Sequence, residues 1–205
     1  MARVVVENKI KEEIEKKGKG KIYFTDNFFE YGSPDAVNKT LQRLEQKGVL
    51  IKIATGVYLY PEIDKEIGII FPTIEEVAAA VAKRDCARIC PTGIYAANKI
   101  GLSTQVPVNA VFITDGAARI IKIGNKKIKF KKTTPKNLLL KGPVSRLVIQ
   151  ALKEIGKNNI NEDQLKRIAG LLDKESPENI KHDAKLAPVW IRKILMETIK
   201  NGNAE

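Results

Sequence analysis

Asn38, Lys39, Gln42 and Arg43 lie within six residues and carry the chemistry of nucleic-acid recognition. A carboxamide pairs donor and acceptor against an adenine edge, a guanidinium does so against guanine, and an ammonium neutralises phosphate. They fall opposite Val37, Leu41 and Leu44, whose spacing of four and then three makes the apolar face of a helix. Gln42 and Arg43 are the expected base readers. Ser33 at the helix start, and Lys52 and Thr55 in a following hairpin, are expected on the phosphate backbone. Asp35, near the same start, is read as a partner of the helix dipole.

A second concentration is purely cationic. From Arg119 to Lys141 there are nine basic residues and no acid. Lys127, Lys129 and Lys131 alternate with Ile128 and Phe130, so a strand here would carry three ammonium groups on one face. A charge run is ordinarily a solvated face. One with no acidic counterweight is read instead as a surface for an anionic partner, with Arg119, Lys122, Lys127, Lys129 and Lys131 as its candidate residues.

Catalytic chemistry is not evident. His182, in ENIKHDAK, is the single histidine and reads as a surface helical residue. Ser103 has no recognisable triad partners. No Gly-rich phosphate loop ends in Lys-Ser or Lys-Thr. Asp115 falls in a turn, and the strand after it, RIIKI, carries no acid that could gather a metal. Cys86 and Cys90 are the only cysteines, and with one distant histidine they make neither a disulfide framework nor a zinc site. Buried, reduced thiols are the expectation, with no cofactor, no metal and no enzymatic activity.

The elements that must position the recognition residues are legible. Ser33 caps a helix, Pro34 suits its first position and Gly48 stops it. Val49–Ile53 and Val57–Tyr60 then read as strands around Ala54-Thr55-Gly56. Upstream, Val4–Lys17 places Val6, Ile10 and Ile14 on one helical face. After the break KKGKGK, Ile22–Phe24 is expected to join the hairpin as a third strand. Thr25 or Asp26 caps a short helix, Asn27–Tyr31, with Phe28 and Phe29 packed against the long one. Helix, strand, helix, helix, hairpin is the order of a winged helix-turn-helix, whose second long helix enters the major groove.

Pro61–Gly68 reads as a linker and Ile67–Phe71 as a strand or an apolar tie. Thr73 and Glu76 have capping-box spacing ahead of a helix striped by Ile74, Val77, Ala78 and Val81. A further helix runs from Thr92 or Gly93 to Lys99, closed by Gly101. Val108–Thr114, Arg119–Ile123 and Lys126–Thr133, with turns at Asp115-Gly116 and Gly124-Asn125, read as an antiparallel meander. Helices then follow over Pro143–Gly156, after Asn161 with Leu165, Ile168 and Leu172 inward, from Ser176-Pro177, and from Pro188. They are expected to cover one face of the sheet, with the tail NGNAE fraying. The fold class is therefore α+β: residues 1–62 a winged helix-turn-helix, residues 63–205 an antiparallel-sheet domain covered by helices.

The 205 residues are 43% hydrophobic, enough for a sizeable core, and carry a net charge of +12. That charge is uneven. Residues 1–62 hold 11 basic and 9 acidic residues, residues 63–150 hold 15 and 6, and residues 151–205 hold 10 and 9. The excess lies in the middle, outside the DNA reader. No apolar run is long enough for a bilayer and no cleavable leader is seen, so a cytoplasmic protein is expected.

Three stretches carry a resemblance to a known family. They are GVLIKIATGVYLYP (Gly48–Pro61), the block Pro72–Pro107 with Gly93, Ala97-Asn98, Gly101-Leu102-Ser103-Thr104-Gln105 and Pro107, and VFITDGAARIIKIGNKKIKFKKT (Val111–Thr133). Over roughly residues 1–155 the chain resembles the shorter branch of the AbiEi antitoxins of toxin–antitoxin and phage abortive-infection systems. Lys52 stands where that pattern usually has Arg, which keeps a phosphate contact but gives up bidentate geometry. The resemblance implies a winged helix that binds double-stranded operator DNA and represses its own operon. It further implies a C-terminal domain that counteracts a nucleotidyltransferase-like toxin of the AbiEii class, with or without direct contact. The alternative is a winged-helix transcription regulator with a dimerising or effector-binding C-terminal domain and no toxin. The oligomeric state, including a dimer on DNA, stays open. A nucleic-acid enzyme with a winged targeting domain is disfavoured by the scattered acids.

Overall fold

A computed structural model describes residues 2–202 of the chain. Its contacts divide it into two compact units, residues 1–81 with 121–125, and residues 82–120 with 126–205. The sequence boundary at 62/63 falls inside the first of these.

The first unit begins with α1 (Ala2–Lys17), β1 (Lys21–Phe24), a 3-10 helix over Thr25–Tyr31, α2 (Pro34–Gln46), β2 (Ile51–Ala54) and β3 (Val57–Tyr60). The strands form an antiparallel sheet in the order β1-β3-β2, so the expected third strand is present. Ile10 and Ile14 of α1, Phe28, and Val37, Leu41 and Leu44 of α2 are fully buried in one core. Each helix alone is too short to be stable in water, and burial of these apolar stripes against one another holds them. The ends of α2 follow from its sequence. Ser33 Oγ accepts from the Ala36 N–H at 3.4 Å, and past Gly48 (φ +69°) the Val49 N–H donates to the Leu44 carbonyl at 2.9 Å.

Two local expectations need correction. The short helix starts at Thr25, and it is the Phe24 N–H that donates to Asn27 Oδ1 at 2.8 Å, so neither Thr25 nor Asp26 is the cap. Phe29 is 44% exposed while Phe28 is fully buried. In a 3-10 helix, at three residues per turn, neighbouring side chains diverge by a third of a turn, so only one of the two rings reaches the core.

Where a linker was expected, β4 (Glu62–Asp64) and β5 (Gly68–Ile70) make an antiparallel hairpin. The Asp64 carboxylate accepts from the Glu66 and Ile67 N–H groups at 2.8 and 3.1 Å and closes the turn, which the polar composition had concealed. Next comes α3 (Ile74–Arg84) with the capping box in place. The Thr73 N–H donates to Glu76 Oε2 at 2.7 Å and the Glu76 N–H to Thr73 Oγ1 at 3.2 Å.

The second unit holds β6 (Ile89–Thr92), α4 (Gly93–Lys99), β7 (Asn109–Thr114), β8 (Arg119–Ile123, whose last three residues are counted with the first unit), β9 (Lys126–Lys132), α5 (Ser145–Ile155), α6 (Glu162–Leu172), α7 (Pro177–Leu186) and α8 (Val189–Gly202). The strand order is β6-β7-β9-β8. The meander expectation fails here: β9 lies between β7 and β8 and runs parallel to β7, pairing Ala110 with Ile128 and Phe112 with Phe130. The reason is burial. Ile128 and Phe130 are buried beside Ala110 and Phe112, whereas no residue of β8 is fully buried, so the more apolar strand takes the inner place. No strand was expected over Ile89–Thr92, where Pro91 stands. An edge strand can hold a proline, since one side of its backbone needs no ladder donor.

Helices α5 to α8 share a core with α4 through Ala97, Val148, Leu152, Ile168, Leu172, Ile180, Ala184, Ile191 and Leu195. Leu165, expected inward, is 39% exposed. Helix α6 seals the end of α4: Arg167 Nε donates to the Ile100 carbonyl at 2.9 Å and Gln164 Nε2 to the Leu102 carbonyl at 3.0 Å. Gly101 adopts φ +69°, which favours glycine, and a Cβ there would stand 2.2 Å from Arg167 Nη2 and oblige that side chain to shift. Ahead of α5, the buried Asp183 carboxylate accepts from the Lys141 and Gly142 N–H groups at 2.8 and 2.9 Å, while Glu175 accepts from the Val144 N–H at 2.9 Å. Of the tail expected to fray, Asn201 and Gly202 belong to α8, and residues 203–205 lie outside the described residues. Among the described residues no helix is long and apolar enough to cross a membrane.

Candidate nucleic-acid interface

Helix α2 turns Asn38, Lys39 and Gln42 outward, away from the buried Val37, Thr40, Leu41 and Leu44. Ser33 is exposed at its start. Its oxygen is engaged in the cap, but a hydroxyl proton remains available to a phosphate. Lys52 on β2 and Thr55 in the following turn are also exposed. Six of the seven residues singled out for DNA therefore lie on the surface of this unit.

Arg43 is the exception. It is half-buried, with Nε 3.4 Å from Glu7 Oε2 on α1 and Nη2 donating to Thr40 Oγ1 at 2.8 Å. Lys47 Nζ donates to Glu7 Oε1 at 2.6 Å, and Lys11 joins at 3.4 Å. The Lys47 hydrogen bond, helped by Lys11 and Arg43 and opposed by burial, holds the Glu7 carboxyl down to about 2. The expected guanine reader is thus turned back onto α1, while the amides of Asn38 and Gln42 stay exposed. Glu7 lies 36 residues from Arg43, and no local spacing announces the pair.

In the second unit the alternation along β9 is realised. Lys127, Lys129 and Lys131 are exposed, and Ile128 and Phe130 between them are buried. Their β7 neighbours are Asn109, Val111 and Ile113, so the ammonium groups rise from a face with no acid on either strand. Successive lysines on one face are roughly 6.6 Å apart along the strand, two residues of rise. Lys122 is exposed as well. Arg119 is not part of this open surface: it is half-buried and ion-paired with Asp85. Burial and neighbouring Arg84 push its guanidinium below its usual range, and its Nε is buried without a hydrogen-bond partner. Asp115 is likewise occupied, accepting from the Arg88 N–H at 2.7 Å and from Arg88 Nε at 2.8 Å, which holds its carboxyl below the usual range.

The residues considered for catalysis have structural surroundings. Ser103 Oγ accepts from the Gln105 N–H at 3.2 Å, and the Ser103 carbonyl accepts from Asn98 Nδ2 at 3.2 Å. Within the block Pro72–Pro107, Asn98, Ser103 and Gln105 thus shape the turn after α4. His182 Nδ1 lies 2.8 Å from Asp183 Oδ1 and is more than a plain surface residue. The thiols differ: Cys90 is buried and pushed up to about 11 by that burial, while Cys86, expected buried, is exposed at φ +50°. Among the described residues no group of three or more His, Cys, Asp or Glu could hold a metal ion.

No curated protein matches the chain. The crystal structure of the RV2827C protein from Mycobacterium tuberculosis is similar at 14% identity, covering 85% of this chain and 75% of that one with a TM-score of 0.44. The model of a family of unknown function, DUF6088, matches residues 9–180, most of the chain, and the chain belongs to that family.

Proposed function

We propose that the chain is a DNA-binding antitoxin of the AbiEi type. In this reading its first unit is a winged helix that binds operator DNA and represses its own operon. Its second unit counteracts a nucleotidyltransferase-like toxin, and the protein works in the cytoplasm. The observation that carries the DNA reading is the exposed stripe Asn38, Lys39 and Gln42 on α2, followed by a hairpin presenting Lys52 and Thr55. Amides on a groove-facing helix read base edges, and cations on the hairpin meet phosphates. The antitoxin part is supported by the resemblance of Gly48–Pro61, Pro72–Pro107 and Val111–Thr133. The lysine face of β9 suits an anionic partner, either the nucleic acid on which a toxin acts or an acidic toxin surface.

The test has two arms. In a mobility shift on the DNA upstream of the gene, N38A/K39A/Q42A should abolish the specific complex. In cells expressing a toxic neighbouring gene, Lys127, Lys129 and Lys131 reversed to Glu should lose protection. An unchanged shift with the first variant removes the DNA reading, and full protection with the second removes the role of the lysine face.

A further inference from the structure

A cavity of about 290 Å3 opens in the second unit, lined by Arg88, Cys90, Asn137 and Arg146 over an apolar floor that includes Leu138 and Leu140. No acid lines it. Arg88 is neutralised by Asp115. Cys90 is an uncharged thiol near neutral pH. Asn137 Oδ1 accepts from Lys153 Nζ at 3.2 Å, which brings an ammonium to the side of the cavity. Arg146 makes no ion pair among the described residues, and its Nε is buried with no hydrogen-bond partner. One turn along α5, Gln150 is buried too, with Oε1 accepting from Thr92 Oγ1 at 3.1 Å and Nε2 left without a partner.

An unpaired guanidinium edge in a cavity is a poor arrangement for stability, because a buried donor without an acceptor loses its water for nothing. It is a good arrangement for a tetrahedral oxyanion. The two Nη atoms of arginine present a fork of N–H donors that grips two oxygens of a phosphoryl group, while Arg146 Nε stays closed to solvent, and the Lys153 ammonium supplies a second charge nearby. Leu138 and Leu140 give the cavity an apolar side against which a sugar or base could lie. The position of Arg146 is itself fixed, since the residue before it, Ser145, is fully buried and hydrogen-bonded to Asp183.

We infer that this cavity is a binding site for a small phosphate-bearing ligand, either inorganic phosphate or the phosphoryl end of a nucleotide, gripped by Arg146 with Lys153 and Asn137 beside it. The site is distinct from the α2 stripe and the β9 lysine face, and it stands whether or not the chain is an antitoxin.

The experiment is calorimetric titration of the full chain with inorganic phosphate, and separately with ADP, at constant ionic strength. It is paired with NMR of the arginine Nε–H resonances. Saturable binding of either probe below about 1 mM is expected, with the Arg146 Nε–H resonance shifting on titration. R146Q should weaken binding by about tenfold or more, while the K127Q/K129Q/K131Q variant should bind as the parent does. Binding of phosphate alone, or tighter binding of ADP, tells the two sources apart. No saturable binding at this concentration, an unmoved Arg146 resonance in the parent, or loss of binding only in the β9 variant would each overturn the site. The resonance readout uses the unmodified protein and does not depend on R146Q folding.

Discussion

Ser145 Oγ donates to Asp183 Oδ2 at 2.6 Å across 38 residues, with both side chains wholly shielded from solvent. The same carboxylate takes the Lys141 and Gly142 N–H groups and lies against His182. A buried carboxylate is costly unless donors surround it, and here they do. Asp183 thereby fixes the backbone that leads into α5. Asp183→Ala strands several buried donors and is expected to lower stability by about 3 kcal/mol, with Asp183→Asn losing less. Urea denaturation followed by circular dichroism measures both. A loss below about 1 kcal/mol for Asp183→Ala would show that the loop finds other acceptors.

Glu7 gathers Arg43, Lys47 and Lys11, and its carboxyl lies at about 2 against an ordinary 4.5. A depressed carboxyl contributes stability that is fully present above the unfolded value and lost as pH falls through the folded one. The window here is therefore from about pH 4.5 down to about pH 2. Glu7→Gln should flatten the acid limb of the stability profile over that range. It also frees two cations beside α2, so duplex affinity should rise with a steeper salt dependence. Thermal melts from pH 2 to 7 and a salt series of DNA titrations give the two readouts.

Gln42 and Arg43 are adjacent in sequence and differ in placement. Gln42→Ala is expected to weaken specific DNA binding by about 1–3 kcal/mol at one base position. Arg43→Ala is expected to act chiefly on stability, through Glu7 and Thr40. A fluorescence-anisotropy titration against single-base operator variants separates them. If Arg43→Ala relaxed specificity and Gln42→Ala did not, the arginine would have to leave Glu7 on the DNA.

Gly101→Ala places a methyl group in a left-handed backbone and against Arg167. An L-residue at that φ costs about 1–2 kcal/mol before any displacement of the guanidinium. The variant should melt several degrees lower in differential scanning calorimetry. The double variant Gly101→Ala/Arg167→Ala should recover only the steric part.

The two thiols should react unequally. Reaction needs thiolate and access. Cys86 has access, whereas Cys90 is buried with its thiol at about 11. Iodoacetamide at pH 8 should label Cys86 in the native protein, with Cys90 labelled only after unfolding. Mass spectrometry of digested peptides decides it, and equal labelling would mean that the wall around Cys90 opens readily.

Local signals carried the first unit far. Ser33, Pro34 and Gly48 mark the ends of α2, and Val37, Leu41 and Leu44 mark its inner face, because caps and periodicity act within a few residues. The capping residues Thr73, Asn161 and Ser176 were legible for the same reason. What escaped was set by partners distant in sequence. Arg43 is withdrawn by a glutamate on another helix, β9 is drawn between β7 and β8 by the packing of Phe130 on Phe112, and the clamp on α5 joins residues some forty apart. Strand β6 gave no signal of its own, being four residues with a proline at a sheet edge, where the missing N–H costs no ladder bond. The lysine face of β9 was readable from alternation alone, whereas the cavity beside Arg146 draws on three separate segments and had no local signature.

The parallel pairing of β7 with β9 also constrains how the chain reaches this structure. Once β7 exists, the next strand along cannot simply be laid beside it, because the slot belongs to a later one. The tight turn at Gly124-Asn125 lets β8 and β9 zip together locally, on the microsecond scale of hairpins. Pairing of β8 with β9 closes a short loop, whereas pairing of β7 with β9 closes a longer one, so the sheet's most local contact is the hairpin and its parallel contact carries the larger closure entropy.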